Sequence, residues 1–181
     1  MNLKQLTWDN HKKAERKKFA SILMSGKITP ELYYKYLTNQ YYMYVMLEEC
    51  LRICGFEKKH PVYRAELMRE DMQELEEKYG FVFDPALLCP VTSQYVTHVE
   101  NLEKNEDLYG LIAHMYVRHF GDMYGGAMIK EKVPGSGRMY EFEEKENLQT
   151  ELRALLSDDM ADEANRCFTF AIRLFEELVD E

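Results

Sequence analysis

No stretch of the 181 residues stays apolar for the roughly 20 consecutive positions that a membrane-spanning helix needs. The first thirteen residues also lack the apolar block of a secretory leader. These absences predict a soluble, cytoplasmic chain. Cysteine is scarce and unpatterned: Cys50, Cys54, Cys89 and Cys167 form neither a Cys-x-x-Cys pair nor a regular framework, which argues against a disulfide-stapled miniature and predicts reduced thiols. Positive charge is in deficit, with 23 Lys and Arg against 32 Asp and Glu and a net charge of −9. Nucleic acid is therefore excluded as the main partner, because phosphate binding requires clustered cations. Period-two apolar alternation is missing as well, and with it any sign of a sheet. Neither an internal repeat nor a low-complexity linker divides residues 1–181, so one domain is expected.

What is present is helical periodicity, in a chain that is 46% hydrophobic and long enough to bury a substantial core. A first helix is predicted over 3–25, with Ala14, Phe19, Ile22 and Leu23 inward and a stop at Gly26. Thr29-Pro30 opens a second, over 30–54, that ends before Gly55. A third begins at His60-Pro61 and closes at Gly80; helices over 91–104 and 107–131 follow a capped turn at Asp84-Pro85. Beyond a loop at Pro134–Gly137, two closing helices part near Ser157-Asp158. The expected fold class is all-α, a single helical bundle.

Two local features carry chemistry. Gly121, Gly125 and Gly126 stand inside the 107–131 helix, where each costs about 0.5–1 kcal/mol relative to alanine. Either Gly121 and Gly125 form a small-xxx-small crossing with a neighbouring helix, or bare backbone at a kink lies against a flat ligand. In the first helix, His11 precedes Glu15 by one turn. That spacing suits a carboxylate steadying a metal-bound imidazole, and equally an exposed i,i+4 pair. The same segment is basic: Lys4, Lys12, Lys13, Arg16, Lys17 and Lys18 crowd the first eighteen residues, a surface for an anionic ligand or acidic protein or simply a solvated face.

Taken together, these segments resemble the haem oxygenases. The resemblance rests on His11-Lys-Lys-Ala14-Glu15 with Thr7 and Phe19 around it, on Tyr41-Tyr-Met-Tyr-Val-Met-Leu47-Glu48-Glu49, and above all on Ala113-His-Met-Tyr116-Val-Arg118-His-Phe-Gly121-Asp122-Met-Tyr-Gly125-Gly126. It continues through His60–Tyr63, Tyr79-Gly80, Asp162–Asn165 and Leu174–Leu178, nearly the whole chain. It implies a bundle with haem b, both cofactor and substrate, between the N-terminal proximal helix and a glycine-kinked distal helix. His11 would be the proximal iron ligand with Glu15 behind it; Gly121 and Gly125 would lie across the haem face, supported by Gly126. Asp122 would organise a water chain that delivers protons, with Arg118 and Tyr41 as its outer members. Lys4 and Tyr116 would hold propionates, as would Arg153 or, alternatively, Lys145. The implied reaction uses O2 and electrons from reduced ferredoxin and yields biliverdin (IXalpha), CO and Fe2+, with a downstream bilin reductase as a further partner. Ferredoxin, being acidic, would dock on Lys12, Lys13, Arg16, Lys17 and Lys18.

Three positions depart from the family pattern. Trp8 replaces a usual cation three residues before His11, and Tyr124 and Ala127 stand where Ser and Gln are common beside the glycines, which bears on the cleavage position. The chain stops at Glu181 without the apolar anchor of animal members and so resembles the compact soluble enzymes of bacteria, cyanobacteria and phages. Two rival readings are a non-catalytic haem-binding protein of the same fold and a carboxylate di-iron oxidase. The second has one Glu-x-x-His spacing in its favour, Glu57-Lys-Lys-His60, located at a helix break. Cys89-Pro90, His98, His114 and His119 receive no role.

Overall fold

A computed structural model describes residues 2–181. Its long helices start and stop where side-chain chemistry requires. Thr29 accepts the Leu32 amide at 3.2 Å with Pro30 in the first turn, so the 24-residue helix α4 opens at Pro30 and runs to Ile53. Helix α5, Ala65–Tyr79, stops at Gly80, whose φ of 74° ends the helix without the steric cost a side chain would add. Helix α6 covers Pro90–Lys104, and α7 covers Leu108–Lys130, where the Asp107 carboxylate accepts the Gly110 amide at 2.8 Å. Helices α8, Lys145–Arg153, and α9, Ala161–Val179, are parted by a short 3-10 turn at Asp158–Met160, with two more such turns at Pro85–Leu87 and Arg138–Tyr140. Strand is absent among the described residues. No described helix is long and apolar enough to cross a membrane.

Two boundaries differ from expectation. The single helix predicted over 3–25 is three: α1, Leu3–Leu6; α2, Trp8–Glu15; and α3, Lys18–Met24. At the first break the Thr7 hydroxyl donates to the Leu3 carbonyl at 2.9 Å, a local bond that competes with helix propagation. At the second, Lys17 is extended; its ammonium reaches Glu176 at 2.9 Å, and the Lys18 amide donates to Glu181 at 2.9 Å. The third predicted helix starts at Ala65 rather than at His60-Pro61, because its N-terminal cap comes from elsewhere. The fully buried Glu48 carboxylate of α4 accepts the Arg64 amide at 2.7 Å and the Ala65 amide at 3.1 Å.

Helix α4 packs against α5, α6 and α7, and α9 packs against α2, α3, α6 and α7. The core between them is one cluster that includes Phe19, Leu37, Tyr44, Leu47, Leu51, Met68, Tyr95, Leu111, Met115 and Leu174. Helix α9 therefore bridges the N-terminal helices and α7, the two elements that carry the predicted site.

Candidate functional site

Helix α7 continues unbroken through all three glycines, none of which has a positive φ. A methyl group built on Gly121 would meet no protein atom within 4 Å, and one on Gly125 only its own helix's Ile129 side chain at 3.9 Å. The small-xxx-small crossing is thereby excluded, since no neighbouring helix approaches either position. Gly121, Tyr124, Gly125 and Met128 follow the i, i+3, i+4, i+7 spacing of one helix stripe, and Tyr124 and Met128 are exposed. This stripe is apolar, uncovered and stripped of side chains at two points, which is unusual on a water-facing helix. Gly126 is a correction: it was expected beside the cofactor, yet it is buried, and its added methyl would stand 3.0 Å from the Tyr140 ring. Its smallness serves the packing of α7 on the Arg138–Tyr140 turn.

Next to Gly121, Asp122 accepts a 2.6 Å hydrogen bond from the Tyr44 hydroxyl. Burial pushes the Asp122 carboxyl up to about 6, while the Tyr44 bond and the nearby His119, Arg64 and Arg118 pull it back down. Tyr44, not Tyr41, is thus the phenol beside the carboxylate. Tyr41 is half-buried and meets the Tyr42 ring edge-on at 5.7 Å. The signal was available in the spacing, because Tyr44 shares a buried helical stripe with Leu37, Gln40, Leu47 and Leu51 whereas Tyr41 does not. Removing the donor should raise Asp122 further. Tyr44→Phe is expected to move its titration above pH 6 by carboxyl carbon NMR of the ligand-free protein, with Tyr41→Phe leaving it in place.

Arg118 is buried rather than solvated. Its guanidinium donates to the Tyr95 hydroxyl and the Gln40 carbonyl, each at 3.0 Å, and lies 4.2 Å from the Tyr95 ring centre. Behind Tyr44, His119 bonds Glu48 at 2.8 Å, its ring 4.8 Å from that of Tyr44. The other ring nitrogen of His119 is buried and has no protein partner. A buried orphan of this kind marks a place for water or ligand.

On α2, His11 and Glu15 form the expected pair at 2.7 Å, with 43% and 53% of their side-chain surfaces exposed. Trp8 stacks on the imidazole, centroids 5.4 Å apart and planes 5° from parallel, and Phe168 of α9 meets it edge-on at 5.8 Å. Ring packing thus stands where a cation is usual. Lys4 and Lys12 both lie over the Trp8 face, at 5.9 and 4.5 Å. On α7, Tyr116 meets the Phe120 ring edge-on at 5.4 Å, Phe120 meets Tyr124 at 6.1 Å, and Arg153 lies 5.5 Å from the Tyr124 ring. Tyr116 and Arg153 thus group with the helix stripe and Lys4 with the imidazole, and α9 packs against both α2 and α7. Lys17, by contrast, is turned back onto Glu176 and Glu181, so it is a weak member of the predicted docking patch; Lys13, Arg16 and Lys18 are exposed.

Histidines without a predicted role form a second cluster. His98 of α6 and His114 of α7 both bond one oxygen of Glu163 of α9, the second at 2.8 Å. His60 pairs with Glu151 at 3.0 Å, near Glu57, so the one Glu-x-x-His spacing gains a third donor from α8.

Residues 1–177 match the family model for heme oxygenase. The chain belongs to the haem oxygenase family. Heme oxygenase 2 of Macaca fascicularis is 28% identical, aligned with 97% of this chain and 64% of its own length, so this chain spans just under two thirds of that relative. The Heme oxygenase of the alga Porphyra purpurea is 29% identical and is covered over 84% of its length. Among solved structures, the heme oxygenase of Leptospira interrogans superposes with a TM-score of 0.81 at 25% identity, covering 97% of each chain. Heme oxygenase-1 of the cyanobacterium Synechocystis, solved in complex with heme, gives the same TM-score at 23% identity over 98% of this chain and 90% of that one. The all-α bundle expected for the family is the fold of this chain.

Proposed function

We propose that this haem oxygenase family member binds haem between α2 and the bare stripe of α7 and opens its ring. The observation that carries the reading is the pairing of two uncovered glycines with a carboxylate held by Tyr44 at the intervening position. A flat apolar ligand can lie on backbone only where side chains are missing, and an ionisable carboxyl at its edge supplies a proton-handling group. The residues fit the group: an accessible imidazole for iron, a side-chain-free face, and Lys4, Tyr116 and Arg153 for propionates. When bound, haem supplies the iron that activates O2 and is also the ring that is cleaved, to biliverdin, CO and Fe2+.

The protein's own part is to position and to move protons. His11 would hold the iron through one ring nitrogen while Glu15 accepts from the other, fixing the imidazole's orientation. Gly121 and Gly125 leave room for a small gas molecule. Asp122, with its titration near 6, holds or releases a proton at its carboxyl oxygen close to working pH, and the Tyr44 hydroxyl fixes which oxygen faces the ligand. Arg118 anchors α4 and α6 to α7 behind them. Lys12 completes the basic end of the chain, and Lys13, Arg16 and Lys18 offer an acidic electron donor of the ferredoxin class an exposed cationic surface. A bilin reductase would take up the biliverdin as a further partner, and four free cysteines suit a reducing, cytoplasmic setting. The non-catalytic alternative leaves the Tyr44–Asp122 pair without a task.

The ligand assignment is tested by His11→Ala. Its haemin complex is expected to lose the histidine-ligated absorption spectrum and regain it with added imidazole, while the melting temperature barely moves, because the His11–Glu15 pair is solvent-exposed. An unchanged axial-ligand spectrum would refute it. Charge reversal at Lys13 and Arg16 is expected to slow reduction by ferredoxin at low salt and to weaken its salt dependence; reduction unaffected by both changes removes the docking surface.

A further inference from the structure

We propose that His98, His114 and Glu163 form a binding site for one divalent transition-metal ion, Zn2+ or a cation of similar preference, clamping α6, α7 and α9 together. The three donors come from three helices, and their ligand atoms all lie within 4.8 Å of one another. Both imidazoles direct their Nε2 atoms at the same Glu163 oxygen, so two nitrogens and one oxygen converge on a small volume. Two imidazoles and a carboxylate are a donor set suited to zinc and its neighbours, with a fourth position left for water. His98 and Glu163 keep 17% and 19% of their side-chain surfaces accessible, a route for the ion and that water, while His114 is fully buried.

The surroundings supply what a metal-bound histidine needs. His114 Nδ1 lies 2.9 Å from the Tyr95 hydroxyl, which already accepts from Arg118 Nε at 3.0 Å. With the Nδ1 hydrogen donated to the Tyr95 oxygen, the Nε2 lone pair of His114 is free for a cation. The second triad, Glu57, His60 and Glu151, lacks such support, since Glu151 is 58% exposed.

The test uses the haem-free protein, so its outcome is independent of the haem reading. Zn2+ binding is followed by calorimetry, Co2+ binding by visible absorption, and stability by thermal melts. One equivalent is expected to bind with micromolar or tighter affinity and to raise the melting temperature, as any ligand selective for the folded state does. His98→Ala, at a partly exposed position, and Glu163→Gln, which retains a side-chain carbonyl, are each expected to weaken binding at least tenfold and to remove the zinc-induced rise. His60→Ala and His11→Ala are expected to change neither. The proposal is overturned if no saturable equivalent binds, or if binding follows His60 or His11 instead of His98.

Discussion

Asp122→Asn is expected to load haemin with an unchanged proximal spectrum and to lose biliverdin formation by about 10²–10⁴-fold, the usual contribution of a positioned proton-transfer group. The loss should fall on turnover rather than on binding, because the carboxyl stands beside the bare stripe and touches none of the residues assigned to iron or propionates. Its pH behaviour makes the prediction sharper. Burial raises the folded-state value from 3.8 to about 6, so protonated Asp122 contributes stability that is fully present below about 4 and lost as pH rises through 6. In the wild type, both turnover and stability should therefore show an inflection near pH 6. In Asp122→Asn both inflections should vanish, as read by single-turnover absorption and denaturant melts across pH 4–8. An inflection that survives the substitution would assign the titration to another group.

Substitutions at the glycines should separate folding from function. Gly121→Ala adds a methyl that meets no protein atom within 4 Å in a continuous helix, so the ligand-free protein is expected to become more stable by about 0.5–1 kcal/mol. Haem affinity and turnover should fall at the same time, and fall further with Gly121→Leu, because the side chain occupies the space assigned to the ligand. Gly126→Ala should do the reverse. Its methyl would press on Tyr140 at 3.0–3.4 Å, which lowers stability without touching the haem face. Melts of the three ligand-free variants with parallel haemin titrations check both signs. Haem affinity unchanged in Gly121→Leu would remove α7's bare stripe from the site.

Trp8 against His11 replaces a cation with a stacked ring, and Tyr124 with Arg153 beside it crowds the exposed side of α7. Both set the polarity at the edge of the proposed haem position.

How far the site could be read in advance depended on the length scale of each feature. Helix ends governed by local caps, such as Thr29-Pro30 and Gly80, were legible from residue types alone. So were the His11–Glu15 pair and the juxtaposition of Gly121 with Asp122, because both lie within a turn or two of one helix. The resemblance implies Tyr41 for the Asp122 network because a motif names a segment, whereas only the burial of one face of α4 places Tyr44 on that carboxylate. The start of α5 was missed because its cap is Glu48, a carboxylate donated by another helix. Gly126 was grouped with its neighbours because sequence shows three glycines alike, although one faces Tyr140 and two face open space.

Residue order alone therefore determined the helical class and the single-helix constellations, since periodicity, capping and i,i+4 geometry act over a few residues of contiguous chain. Tertiary packing decided which phenol meets Asp122, which glycines stay bare, and that His98, His114 and Glu163 share one oxygen. Those outcomes depend on where separate helices dock, and the energies that dock them come from many small apolar contacts that no short segment contains.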